Sequence, residues 1–276
     1  MYEQFWGLSA NPFLTSNQKP LFHASEPHDE ALSRLLYLAE NQRRFGLLIG
    51  PAGTGKSLLL NVLAGEVGRE THHVASLDTV GLSSHELLWQ VAVALRLAPS
   101  NTISRWALWR MIDDHVSALG QSGIHWLLLI DHLERADPDC LPLLERLLHR
   151  SPSVTVVASV RTSGLAAISP VLCELSELRI ELLALDRNQT EEYINGLLSQ
   201  CGCQTQPFTS SAIDSIFRHS AGIPRGINRL CDLSLLAGMS EDNQTINENI
   251  VESAAYELQY RTRPVPNIGS SLVGVE

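Results

Sequence analysis

The sequence has 276 residues, enough for one large α/β domain with a smaller companion. Hydrophobic residues make up 44% of it, which excludes wholesale disorder, and no apolar run approaches the roughly 18–20 residues a membrane helix needs. Against 30 Asp and Glu stand 20 Lys and Arg, a formal charge of −10, which argues against sequence-independent nucleic-acid binding but leaves room for a local basic patch.

Residues 1–45 precede the first expected strand. Asn11-Pro12-Phe13 and Pro20-Leu21-Phe22 read as turn and extended segments. Glu30 to Arg43 carries leucines at helical period and stops before Gly46. No basic segment followed by an apolar one stands at the N-terminus, so a cleaved secretion signal is not expected. The five cysteines, Cys140, Cys173, Cys201, Cys203 and Cys231, are scattered and read as reduced thiols of a cytosolic protein.

Phe45-Gly46-Leu47-Leu48-Ile49 is an apolar run suited to a buried strand. Directly after it, Gly50-Pro51-Ala52-Gly53-Thr54-Gly55-Lys56-Ser57 has the spacing of a phosphate-binding loop. The glycines let the backbone turn its N–H groups onto phosphate oxygens. Lys56 would reach the outer phosphates as a point charge, and Ser57 would place its hydroxyl on Mg²⁺. A helix from Leu58 to about Val67 would present its positive end to the phosphates. A nucleotide with Mg²⁺ is the expected ligand.

His72-His73 is expected in a wet loop. His73 to Asp78 reads as a second strand, and Ser83-Ser84-His85-Glu86 as a capping box opening a helix to about Leu97. A helix from about Ile103 to Leu119 carries Trp106 and Trp109, both expected to pack rather than to stack on bases. Trp126 to Ile130 is apolar and closes on Asp131, which would hold the Mg²⁺ shell beside the phosphate loop. Asp137-Pro138 should start a helix to about His149. Val154 to Ser159 and Arg179 to Leu183 are further strands. Strands alternating with helices imply an α/β fold with a doubly wound parallel sheet. From Asn188 the pattern is helical, at about 189–200, 210–219, 224–238 and 246–258. The chain is thus expected to divide into an N-terminal segment at 1–45, a nucleotide-binding core at 46–186, a small helical domain at 187–258 and a disordered tail at 259–276.

Several blocks resemble the AAA+ ATPases of the general secretion pathway A (ExeA-like) type, relatives of the TniB/TnsC-type transposition ATPases. They are Met1-Tyr2-Glu3-Gln4-Phe5-Trp6-Gly7-Leu8, Asn11-Pro12-Phe13, His28-Asp29-Glu30-Ala31-Leu32, Ala221-Gly222-Ile223-Pro224-Arg225-Gly226-Ile227-Asn228 and Leu230-Cys231-Asp232. The resemblance spans about residues 1–258 and implies a P-loop NTPase of AAA+ type. It implies that Arg225 is a second-sensor arginine, reaching the γ-phosphate as the lid closes. It implies that Arg179 acts across a subunit interface, and that Ser159 or Arg161 is a first sensor. Phe13 and His28 fall where relatives line the adenine pocket.

Two departures temper the resemblance. The family follows the metal aspartate with a glutamate that polarises the attacking water, and here the pair is Asp131-His132. A neutral imidazole can accept a proton, so His132 is a candidate base, though a poorer one than a carboxylate. Glu134 lies two residues further on and is expected to point elsewhere. The secretion relatives often continue into a membrane segment and a peptidoglycan-binding region, so direct wall binding is not expected of this chain. The resulting expectation is a cytoplasmic ATPase that binds ATP·Mg²⁺, hydrolyses it slowly and self-associates through its nucleotide interfaces. Its work would lie in envelope or secretion-system assembly, with the partner protein left open, a membrane-associated one included. Two other readings stay open, a DNA-associated transposition-type ATPase and a nucleotide-gated scaffold with little turnover.

Overall fold

The structure, a computed structural model, describes residues 2–14, 22–68 and 71–262. The expected extended segment at Pro20-Leu21 and most of the expected tail lie outside the described residues. In chain order the elements are α1 (Tyr2–Phe5), α2 (Glu26–Glu40), β1 (Phe45–Gly50), α3 (Lys56–Glu66), β2 (His72–Asp78), α4 (Ser84–Ala94), α5 (Arg105–Gln121), β3 (His125–Asp131), α6 (Leu141–Arg150), β4 (Val154–Arg161), α7 (Pro170–Leu175), β5 (Leu178–Glu181), α8 (Arg187–Gln200), α9 (Ser210–Ser220), α10 (Pro224–Ser240) and α11 (Glu248–Thr262).

The chain forms two compact units. The larger comprises Asn17–Leu185 with Ile223–Arg225. Its five strands form one parallel sheet in the order β2-β3-β4-β1-β5. The three central strands are apolar on both faces because both are covered. Leu47, Ile49, Leu128, Ile130, Val156 and Ala158 meet α4, α5 and α6 on one face. Leu48, Leu127, Leu129 and Val157 meet α2 and α3 on the other. Each such leucine or isoleucine contributes about 2 kcal/mol by leaving water. The two-residue alternation within one strand therefore anchors helices on both sides of the sheet.

The order of the strands positions the functional loops. From β1 the chain crosses β4 and β3 to reach β2, then returns strand by strand. The loop after β1 and the residue ending β3 thus emerge at the same carboxyl edge, on either side of β4. Ligands of open parallel sheets bind at such a switch point.

Local capping follows sequence where it was legible. Ser83 and Glu86 form the full capping box of α4. Asp137 caps a single 3₁₀ turn, and α6 begins only at Leu141. Two surface assignments are corrected. Trp106 is 70% exposed and stacks under the Arg110 guanidinium rather than packing inside, whereas Trp109 is buried. His72 and His73 lie in β2, not in a wet loop, and His72 is buried with Nε2 at 3.3 Å from the Ala39 carbonyl.

The second unit comprises Met1–Ser16, Asp186–Gly222 and Gly226–Glu276. Its helices are α1 and α8 to α11. The opening residues belong here: Tyr2 Oη and Asn11 Nδ2 both donate to Asp232 Oδ1, and Trp6 Nε1 donates to the Leu235 carbonyl at 3.0 Å. The segment expected as one piece at 1–45 therefore divides, with residues 2–14 on α8 and α10 and α2 on the sheet. Burial of Trp6 and Phe13 explains why an aromatic start serves a helical unit. At the other end, α11 continues to Thr262, four residues into the expected tail.

Candidate active site

The phosphate loop begins where β1 ends at Gly50. Gly55 has a left-handed backbone, φ 99°, and caps α3. A Cβ there would lie 2.9 Å from His28 Nε2, so the position excludes a side chain on two counts. Lys56, the first residue of α3, is 7% exposed. Its Nζ donates to the carbonyls of Gly50 and Pro51 at 2.8 and 2.7 Å. Burial lowers the pKa of its ammonium, while the charges of Glu134 and then Asp131 act to raise it. Arg161 and Arg225 act on it as further cations. Ser57 follows on α3 with its side chain exposed, as are Pro51 and Ala52, while Leu58 is half-buried.

His28, on α2, supports this loop from behind. Its Nε2 is 2.9 Å from the Thr54 carbonyl and its Nδ1 2.6 Å from Ser25 Oγ. A carbonyl only accepts, so Nε2 carries the proton and Nδ1 accepts from the serine hydroxyl. Burial holds the ring in this neutral form by lowering its pKa. Thr54 itself is fully buried and donates to the Pro51 carbonyl.

Asp131 ends β3, in register with Asp78 at the end of β2. Its Oδ1 accepts from Ser159 Oγ and, at 3.0 Å, from the His132 backbone N–H. Ser159 is fully buried on β4. The aspartate is thus oriented from two sides, and its side chain retains 18% exposure. The arrangement suits a polyphosphate with its metal. Cations Lys56, Arg161 and Arg225 surround a helix N-terminus, and Ser57 and Asp131 offer the hard oxygen donors Mg²⁺ prefers.

Residues 39–166 match the family model of an AAA domain. General secretion pathway protein A of Aeromonas hydrophila is 30% identical over 266 residues, covering 94% of this chain and 48% of that protein. The chain carries a P-loop AAA domain and is similar to the ExeA type along nearly its whole length. It spans about half the length of that relative. Among solved structures, Cdc6p of Pyrobaculum aerophilum has a TM-score of 0.73 at 16% identity, covering 89% of this chain and 70% of that one. The ORC1 protein of Aeropyrum pernix, solved in complex with DNA, has a TM-score of 0.67 at 17% identity, covering 92% and 72%. The RuvB Holliday junction branch migration motor of Thermotoga maritima has a TM-score of 0.58 at 21% identity, covering 85% and 70%. At such identities the likeness is one of AAA+ fold.

Arg225 joins this cluster, and other candidates do not. Arg225, the second residue of α10, groups with the sheet unit, and its backbone N–H donates to the Gly53 carbonyl at 3.2 Å. Arg179 lies on the edge strand β5, paired with Leu47 rather than with the loop. It is exposed, and its guanidinium donates to the Cys173 carbonyl at 2.8 Å. Phe13 and His28 fall in different units. His132 has a left-handed backbone, φ 56°, and its Nδ1 lies 3.3 Å from Asp78 Oδ1 and 3.5 Å from Asp131 Oδ2.

Glu134 corrects the expectation that it points elsewhere. Its side chain is 6% exposed, and its Oε2 accepts from the Arg161 backbone N–H at 3.2 Å. Arg161 in turn pairs in register with Gly50, the first residue of the phosphate loop. The one signal for this in the sequence is Leu133. An apolar residue there must reach the core, which turns its two neighbours toward the polar edge.

Proposed function

We propose that the protein binds ATP with Mg²⁺ at the Gly50–Ser57 loop and hydrolyses it. The observation that carries this reading is the convergence of Lys56, Asp131 and Ser159 at one carboxyl edge of the parallel sheet. In this reading Lys56 leaves its two loop carbonyls for the outer phosphates, Ser57 and Asp131 hold the metal, and Ser159 fixes the aspartate. Arg225 provides a further cation for the phosphates. Arg179, exposed on an edge strand and held by one hydrogen bond to the Cys173 carbonyl, would turn to serve a neighbouring subunit, in keeping with self-association through nucleotide interfaces.

The role of the hydrolysis is proposed from the relative's name. A protein similar to general secretion pathway protein A fits assembly of an envelope or secretion complex, worked from the cytoplasmic side. No described helix is long and apolar enough to cross a membrane.

The test is a titration with a fluorescent ATP analogue in the presence of Mg²⁺. Wild type should bind, and Lys56→Ala should lose most of the affinity while melting like wild type. Equal affinity in the two proteins would overturn the assignment. Phosphate release at saturating ATP then separates an ATPase from a nucleotide-gated scaffold.

A further inference from the structure

Four observations converge on Glu134. The left-handed backbone at His132 starts a 3₁₀ turn, Leu133–Arg135. That turn sends Leu133 into the core, 1% exposed, and swings Glu134 back toward β4. There the carboxylate meets Arg161 twice, at the backbone N–H through Oε2 and at Nε through Oε1, the latter at 3.3 Å. Oε1 is buried yet accepts no hydrogen bond. Room for this side chain exists because residue 164 is glycine: a Cβ there would lie 2.4 Å from Glu134 Cγ and 2.5 Å from its Cβ.

A buried carboxylate is costly unless paired and hydrogen-bonded. This one is paired with Arg161, and its Oε1 accepts no hydrogen bond, beside the first residue of the phosphate loop. Of the nearby carboxylates it is also the one that acts most strongly on the Lys56 ammonium. His132 is placed differently. Its Nδ1 lies 3.3 Å from Asp78 Oδ1 and 3.5 Å from Asp131 Oδ2, so that edge of the ring faces the ends of β2 and β3.

We propose that Glu134, rather than His132, is the general base for the water that attacks the terminal phosphate, with Arg161 and Gly164 positioning its carboxylate. This rests on the ATPase reading above. The step balances simply. The water oxygen forms a bond to the terminal phosphorus, the bond from that phosphorus to the bridging oxygen breaks, and the diphosphate leaves. The proton of the water passes to Glu134 and then to phosphate or solvent.

The experiment measures ATP-analogue affinity, phosphate release at saturating ATP and thermal unfolding for wild type, Glu134→Gln, Glu134→Asp, Gly164→Ala and His132→Ala. A lost general base costs typically 10²–10⁴-fold. Glu134→Gln should therefore bind ATP within about threefold of wild type and release phosphate at least tenfold more slowly than His132→Ala. Glu134→Asp keeps the charge of the Arg161 pair but withdraws the oxygen, so it too should lose kcat while melting normally. Gly164→Ala should lower kcat with KM little changed, because it displaces the carboxylate and leaves the loop intact. Glu134→Asp turning over at the wild-type rate would overturn the proposal, as would His132→Ala losing more than Glu134→Gln. Wild type that binds ATP without releasing phosphate also overturns it, yet leaves nucleotide binding standing. Wild type that binds no ATP overturns the ATPase reading as well.

Discussion

His28 donates an Nε2–H hydrogen bond to the Thr54 carbonyl at 2.9 Å, tying α2 to the middle of the phosphate loop. The ring is 4% exposed and fills the space that a side chain at Gly55 would need. The glycine and the histidine are therefore two halves of one contact.

Truncating that ring removes a buried hydrogen bond and opens a cavity under the loop. His28→Ala should cost about 2 kcal/mol of stability. It should also weaken ATP binding, because the Thr54 carbonyl and the loop around it lose their support. Urea unfolding and analogue titration check both parts. Affinity at the wild-type level would show that the loop holds its shape unaided.

Stability should fall as the pH is lowered. His125 is buried at the start of β3, its ring 5.7 Å from that of His72, and burial with the charge of His72 pushes its pKa down to about 4. Its Nε2 donates to Thr155 Oγ1 at 2.8 Å, since the threonine proton is already given to the Arg43 carbonyl. An unfolded histidine titrates near ~6.5. Above that pH neither state is charged and the full stability is present. Below it the unfolded chain gains a proton that the folded protein takes up only near pH 4, so stability is lost across that window, on the order of 3 kcal/mol by its lower end. His28, lowered by burial, acts in the same direction. Urea midpoints at pH 7.5 and 5 measure the slope, and His125→Phe should flatten it. An unchanged slope in that variant would assign the loss to other groups.

A carboxylate at position 132 should not improve the enzyme. His132→Glu would place a third negative charge within reach of Asp78 and Asp131, which now flank the imidazole at 3.3 and 3.5 Å. Like charges so close oppose one another, and glutamate is less at ease than histidine in a left-handed backbone. The variant should lose about 1 kcal/mol, a few degrees of melting temperature, and turn over no faster than wild type. Phosphate release above the wild-type rate would restore position 132 as the site of the base.

Arg179 is tested by mixing. Turnover per subunit should rise with protein concentration if it completes a neighbour's site. Arg179→Ala and Asp131→Ala, each inactive alone, should recover part of the activity together, because one interface then holds an intact acid and an intact arginine. Turnover independent of concentration in a monomeric protein would remove Arg179 from the chemistry.

The sequence by itself determined what depends on near neighbours. Apolar runs at Phe45–Ile49 and Trp126–Ile130 specify strands covered on both faces, because alternate side chains must each find a core. The loop from Gly50 to Ser57 and the Ser83–Glu86 capping box are likewise local, since their geometry closes within a few residues. Only the tertiary structure decided the rest. Asp131 meets Ser159 because β3 and β4 are neighbours in the sheet, and His28 meets Thr54 because α2 returns over β1. Trp106 and His72 exchanged their expected environments for the same reason: exposure belongs to what packs against a residue, not to the residue. Glu134 shows the limit most sharply. Its direction depends on one left-handed residue at His132 and on the empty space at Gly164, thirty positions away, and neither leaves a periodic signal along the chain.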